Sequence, residues 1–155
     1  MANGESFLGG FASGFLARGL THIGYGIYFT TSRLIGVDLG ANGGGALGGT
    51  MPGFIHGELM PQLSPEESAK TIKDLERMKE FEMEKEQISR IEFKKPGMFG
   101  TGHIVITPKE GKPEKIILRH RIAYDRLMTL TKAFSPELPR SFWETCSSNG
   151  MVSNS

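Results

Sequence analysis

Cysteine is almost absent from this chain: Cys146 stands alone among 155 residues, which excludes an intrachain disulfide framework and makes a reducing compartment the expected setting. Long hydrophobic runs are missing too, since no stretch approaches the ~18 consecutive apolar residues that a membrane-spanning helix needs. No basic segment opens the chain, whose first charge is Glu5, so a secretory signal is not expected and a cytoplasmic location is. Nor is there an excess of one charge. Eighteen Lys+Arg against seventeen Asp+Glu leave +1 at pH 7, a balance that supplies no global field for nucleic acid, and no nucleic-acid partner is expected.

The signatures of common catalytic sites are missing as well. There is no GxxxxGK[ST], no HExxH, no cysteine pair and no nucleophile elbow. His22, His56, His103 and His120 never stand two or four residues apart, so local sequence offers no zinc site. Cys146 has no base near it in the sequence, and Glu80, Glu82, Glu84 and Glu86 read as a solvated acidic face. No catalytic residue, metal or cofactor is assigned.

What is present is unevenly spread. Sixteen of the 21 glycines lie within residues 1–57, where the only charges are Glu5, Arg18, Arg33 and Asp38. Residues 58–85 are acidic, with eight acids against five bases, and residues 86–140 are basic, with eleven bases against six acids. This divides the chain into a glycine-rich apolar segment (1–20), a single domain (21–136) and a flexible tail (137–155). Within the domain, 40–63 reads as a glycine-rich loop and 64–80 as an inserted helix.

In the first segment Phe7, Phe11 and Phe15 recur every four residues, with Leu8 and Leu16 beside them, which predicts an apolar helical stripe. Its glycines each cost a helix ~1 kcal/mol relative to alanine, so the stripe must dock on its own sheet, a second copy or a membrane. Next, Ile23, Tyr25, Ile27 and Phe29 alternate with other residues as in a strand, and Thr31-Ser32 turn the chain into a second strand from Leu34 to Leu39. Gly24 and Gly26 weaken the first of these strands and suggest that a backbone or a bulky group passes close to it.

Ser64-Pro65-Glu66-Glu67 is a capping box with proline at the first helical position. The helix it opens is expected to bury Ala69, Ile72, Leu75 and Met78. Extended chain follows at Phe81 and Met83, then strands at 88–94, 103–107 and 115–119, and a last helix from Arg121 to Phe134. That helix carries Ala123, Leu127, Leu130 and Phe134 on one face. The fold class is α+β: a bent antiparallel sheet or partial barrel capped by a C-terminal helix.

Two loops resemble phosphate-binding sequences without their context. Residues 43–48 match GxGxxG, yet Gly49, Pro52 and Gly53 prevent the helix whose N-terminus would hold the anion. LIGVDLG resembles the first phosphate loop of actin-like ATPases, but that family's other motifs are absent, and Asp38 reads as a strand-end residue.

A broader resemblance rests on GYGIYFTTSRLIGVD, ISRIEFKKPGMFGTGHIVI and PEKIILRH, followed by the closing helix. Together they resemble the pleckstrin-homology-like and GRAM-type domain superfamily, specifically its uncharacterised prokaryotic members, over residues ~22–39 and ~81–136. The resemblance implies a non-enzymatic interaction module binding a protein partner, or an anionic ligand or lipid surface. Lys94, Lys95, Lys109, Lys112 and Lys115 are the expected anion contacts, and Phe7, Leu8, Phe11, Phe15 and Leu16 the expected docking residues for a partner, a second copy or a membrane. Two alternatives stand beside it. One is a membrane-peripheral structural protein anchored by residues 6–20; the other is a small anion- or nucleotide-handling enzyme using the 40–57 loop.

Overall fold

The computed structural model describes residues 4–19, 22–38, 63–98 and 100–141. Its elements are β1 (Phe7–Arg18), β2 (His22–Thr30), β3 (Arg33–Asp38), α1 (Pro65–Met78), β4 (Lys79–Glu84), β5 (Ile88–Lys94), β6 (Gly102–Pro108), β7 (Glu114–Leu118), α2 (Arg121–Phe134) and β8 (Pro139–Ser141). A 3-10 turn, Lys85–Gln87, links β4 to β5. The fold is α+β, with strands hydrogen-bonded in the order β4-β3-β2-β1-β7-β6-β5-β8. All pairs are antiparallel except β5 with β8.

The order falls into two groups of four, β4-β3-β2-β1 and β7-β6-β5-β8. They meet where Leu16 and Ala17 of β1 pair with Leu118 and Ile117 of β7. The β1–β2 register shifts between Ser13 and Ala17, so extra residues on β1 bend that strand away from one partner and toward the other. Among the described residues β4 does not pair with β8 or β5, and no closed barrel forms. No described helix is long and apolar enough to cross a membrane.

The apolar segment expected to be a helix is strand β1. Its four-residue phenylalanine spacing is misleading, because a register shift between Phe7 and Gly9 turns Phe7 to the face opposite Phe11. Phe7 packs with Ala12, Tyr28, Ile35 and Val37 in an outer core beneath Ile72 and Leu75 of α1. Phe11 and Leu16 join Tyr25, Ile27, Phe29 and Leu34 in an inner core completed by β5–β7 and α2. Phe7, Phe11 and Leu16 are buried in the chain's own cores, and Leu8 is partly buried against the inner one. The Phe15 side chain lies outside the described residues.

β2 is covered on both faces, more fully than its alternation predicts. The Tyr28 ring lies across the outer face, and a Cβ at Gly26 would come within 2.7 Å of it; one at Gly10 would collide with it outright. The close approach expected at Gly26 is therefore this ring.

α1 begins on the expected capping box. The Ser64 hydroxyl accepts from the Glu67 N–H and the Glu67 carboxylate accepts from the Ser64 N–H, both at 3.1 Å. The helix ends at Met78, and its buried face is Ser68, Ile72 and Leu75. Ala69 and Met78, expected inside, are exposed. Ser68 takes the inward position because its hydroxyl accepts from the Phe7 N–H at 2.7 Å, tying α1 to the first strand. α2 matches expectation: Ala123, Leu127, Leu130 and Phe134 are buried on the inner core, and the Phe29 and Phe134 ring centres stand 5.3 Å apart.

The segment from residue 137, expected to be a flexible tail, contains a strand: Pro139–Ser141 pair with Ile91–Phe93 as β8. Residues 142–155 and nearly all of the 40–63 loop lie outside the described residues; Leu63 is partly buried against the outer core.

Candidate functional site

Residues 1–38 hold few charges, and both arginines among them are paired. Arg33 opens β3 after the Thr31-Ser32 turn, and its guanidinium meets three carboxylates. Glu5 lies 2.9 Å from its Nε, Glu76 of α1 contacts its Nη1, and Glu82 of β4 lies 2.5 Å from the same nitrogen. Lys79 closes the ring, 2.8 Å from Glu76 and 2.9 Å from Glu82. Glu5 also accepts from Thr30 and Ser32, at 2.7 and 2.8 Å.

Burial pushes the Glu5 carboxyl up, but hydrogen bonds from Thr30, Arg33 and Ser32 outweigh it and hold the group below its ordinary range. Glu76 is lowered first by its bond from Lys79 and then by Arg33. Glu82, raised by burial, is brought below normal by Lys79 and Arg33. A cleft of about 330 Å³ runs beside this cluster, lined by Glu5, Arg33, Ala69, Ile72, Lys73 and Glu76. The Arg33 donors are already committed to carboxylates, so the arrangement locks α1, β3 and β4 together.

Arg18, the last residue of β1, spans the two strand groups. It pairs with Glu80 of β4 on one side and with Glu114 of β7, at 2.8 Å, on the other, while its guanidinium lies 5.3 Å from the Phe81 ring centre. The buried Tyr25 hydroxyl sits near Glu80 without good hydrogen-bond geometry; burial first, and the Glu80 charge second, push its pKa well above normal. Glu80 and Glu82 are thus ion-pair partners, where the sequence suggested only a solvated acidic face.

The rear half is different. Lys94, Lys95, Lys109, Lys112 and Lys115 are all exposed, and none has an ion pair among the described residues. They do not converge on one groove. Lys94 ends β5, and Lys95 follows it with its ammonium 5.8 Å from the Tyr124 ring. Lys109 and Lys112 lie at the opposite end of the β5–β6 pair, in the β6–β7 loop. There they line an open cleft of about 520 Å³ together with Glu82, Glu86 and Glu110, without an ion pair to any of the three.

Lys115 lies opposite Val105 on β7. Lys94 and Lys115 both act on His103, whose pKa is lowered first by burial and then by these two charges. His120 caps α2, its Nδ1 accepting from the Ile122 N–H at 3.1 Å.

Among the described residues no group of three His, Cys, Asp or Glu side chains stands where it could hold a metal. His56, Cys146 and the glycine-rich 40–57 loop lie outside those residues, as does the His22 side chain. The ionic clusters escaped sequence reasoning, although one signal was there: an arginine alone in an apolar stretch must find a carboxylate when the stretch is buried. Comparisons of this chain with protein-family models, curated proteins and solved structures give no match.

Proposed function

We propose that this protein is a non-enzymatic interaction module of pleckstrin-homology-like architecture, a partial barrel that engages an anionic ligand or surface through its β5–β7 half. The strand order and the C-terminal helix over the inner core support the architecture, since two strand groups bridged by a bent β1 enclose one interior. One observation carries the functional part. Both arginines of β1–β3 are consumed by carboxylates, whereas the five lysines of the rear half stand exposed without ion-pair partners. Unpaired surface cations cost the fold little and remain available to an external anion.

The test is binding of the purified chain to inositol hexakisphosphate and to vesicles with and without phosphatidylserine, at low salt and at ~1 M salt, where the screening length falls to about 3 Å. Binding to an anionic probe that weakens in salt and in the Lys94→Glu/Lys95→Glu variant is expected. Indifference to every anionic probe at low salt would sink the reading. A second reading, capture of a protein segment, is favoured only by the 520 Å³ cleft, whose mixed carboxylates and ammoniums suit a segment carrying both signs.

A further inference from the structure

Exposed large hydrophobic side chains are scarce among the described residues: Met78 at 37%, Ile122 at 50% and Met98 at 92%. The two most exposed sit at one end of the molecule. Gly102, the first residue of β6, pairs with Leu118, the last of β7, and the chain enters α2 at Arg121. The β5–β6 connection carrying Met98 and the first turn of α2 carrying Ile122 therefore leave the sheet side by side. The two elements touch through other side chains: Tyr124 of α2 meets the Phe93 ring at 5.8 Å in an edge arrangement, and the Lys95 ammonium lies 5.8 Å from the Tyr124 ring.

The connection is held in shape. Gly97 donates to the Gly100 carbonyl at 3.1 Å, and Met98 follows the first of these two glycines. The backbone at 94–96 presses so closely on Gly102 that a Cβ there would fall 2.6 Å from the Pro96 nitrogen. Around these apolar tips the charge is positive. Lys94, Lys95 and Arg119 are exposed with no ion pair among the described residues. Arg121 has only a distant, largely solvated partner, Asp125 at 3.9 Å. The neighbouring acid Glu92 is taken by Arg90, at 2.5 Å.

We propose that this end is a docking surface for an anionic bilayer, with Met98 and Ile122 entering the interface and Lys94, Lys95 and Arg119 contacting the head groups. The inference rests on the anion-binding reading above and specifies its source. A bilayer matches both features at once, since its anionic surface attracts the basic residues and its acyl boundary accepts the apolar tips. A second copy of the chain would set this cationic surface against another of like sign. A free phosphate would use the lysines but leave Met98 and Ile122 in water.

The experiment is co-sedimentation with phosphatidylcholine vesicles, with and without phosphatidylserine. A second measurement uses an environment-sensitive fluorophore at Met98→Cys in a Cys146→Ser background. Expected are binding to the anionic vesicles only, a blue shift of the fluorophore on them, and a roughly tenfold or greater loss of binding in Met98→Asp and in Ile122→Asp. Lys94→Met should cost about fivefold, the contribution of one basic residue near an anionic surface. The melting temperatures of the Asp variants should stay close to that of the parent, because Met98 lies almost wholly in water and Ile122 half in it.

Vesicle binding that ignores Met98→Asp and gives no blue shift overturns the insertion while leaving anion binding intact. Binding of inositol hexakisphosphate without vesicle binding does the same. Self-association abolished by Met98→Asp, without vesicle binding, assigns the surface to a second copy and overturns the proposal. No binding to any anionic probe defeats both this proposal and the reading beneath it.

Discussion

The β1–β4 half and the β5–β8 half spend their charges in opposite ways. In the first, Arg18 and Arg33 are partly buried and each faces at least two carboxylates, so their charge is absorbed in joining strands to each other and to α1. In the second, Lys94, Lys95, Lys109, Lys112 and Lys115 remain exposed without an ion pair among the described residues, and only Lys95 meets a ring, that of Tyr124. Removing a cation from the first half strands two or more partly covered carboxylates; removing one from the second alters only the surface field. A net charge of +1 hides this division, because the surplus acids of residues 58–85 offset the surplus bases of residues 86–140 on paper without meeting most of them in space.

The largest effect lies in what the halves share. Phe11 and Leu127 both belong to the inner core, and Phe11→Asp or Leu127→Asp would bury an unpaired charge at a cost of several kcal/mol. Circular dichroism should show an unfolded chain in either variant; a folded one would mean that the halves do not depend on a common interior. Next comes Arg33→Met, expected to cost about 2–4 kcal/mol in urea unfolding. The figure falls below that of a fully buried pair because Glu76 and Glu82 each keep 35% of their side-chain surface in water. A loss no larger than that of a surface lysine would erase the contrast.

Gly26→Ala should follow at about 1–3 kcal/mol, since its methyl must displace the Tyr28 ring pinned beneath α1. An unchanged melting temperature would show that the ring shifts freely. Acid should then separate the halves. Glu5, Glu76 and Glu82 are all held below their ordinary range, so their stabilisation is complete above the unfolded value of about 4.3 and is lost as pH falls through the lower folded values. Hydrogen exchange measured as pH drops through that window should lose protection first in α1 and β3–β4. Simultaneous loss in β5–β7 would contradict it. The smallest effect is that of Lys94→Met on stability, within about 0.5 kcal/mol by thermal melt.

Local rules made parts of this fold legible. The Ser64 capping box, the apolar face of α2 from Ala123 to Phe134, and the β2–β3 hairpin all depend on neighbours in the chain, and all stand where the pattern placed them. β1 imitates a helix in the sequence because a register shift interrupts its alternation and leaves a four-residue spacing. β8 leaves no local signal, because three residues, one of them proline, carry no periodicity, and it exists only by pairing with β5. The lysines were picked out by composition, but their placement at opposite ends follows from the direction of each strand, which composition does not encode. The Arg33 cluster joins residues from positions 5, 33, 76 and 82, a convergence set by the β1–β4 pairing.

The bend in β1 also imposes an order on the making of this protein. β1, β2 and β3 follow one another closely and can pair as soon as they leave the ribosome, yet Leu16 meets its partner only when Leu118 has been made. Until then the inner faces of Phe11, Ile27 and Phe29 lack the strands and helix that cover them. The nascent chain must carry an open, oily trough for the several seconds needed to translate the remainder. Closing it joins residues about a hundred positions apart, the kind of long-range contact that slows folding. The Arg18–Glu114 bridge, spanning 96 residues, forms only with that final closure.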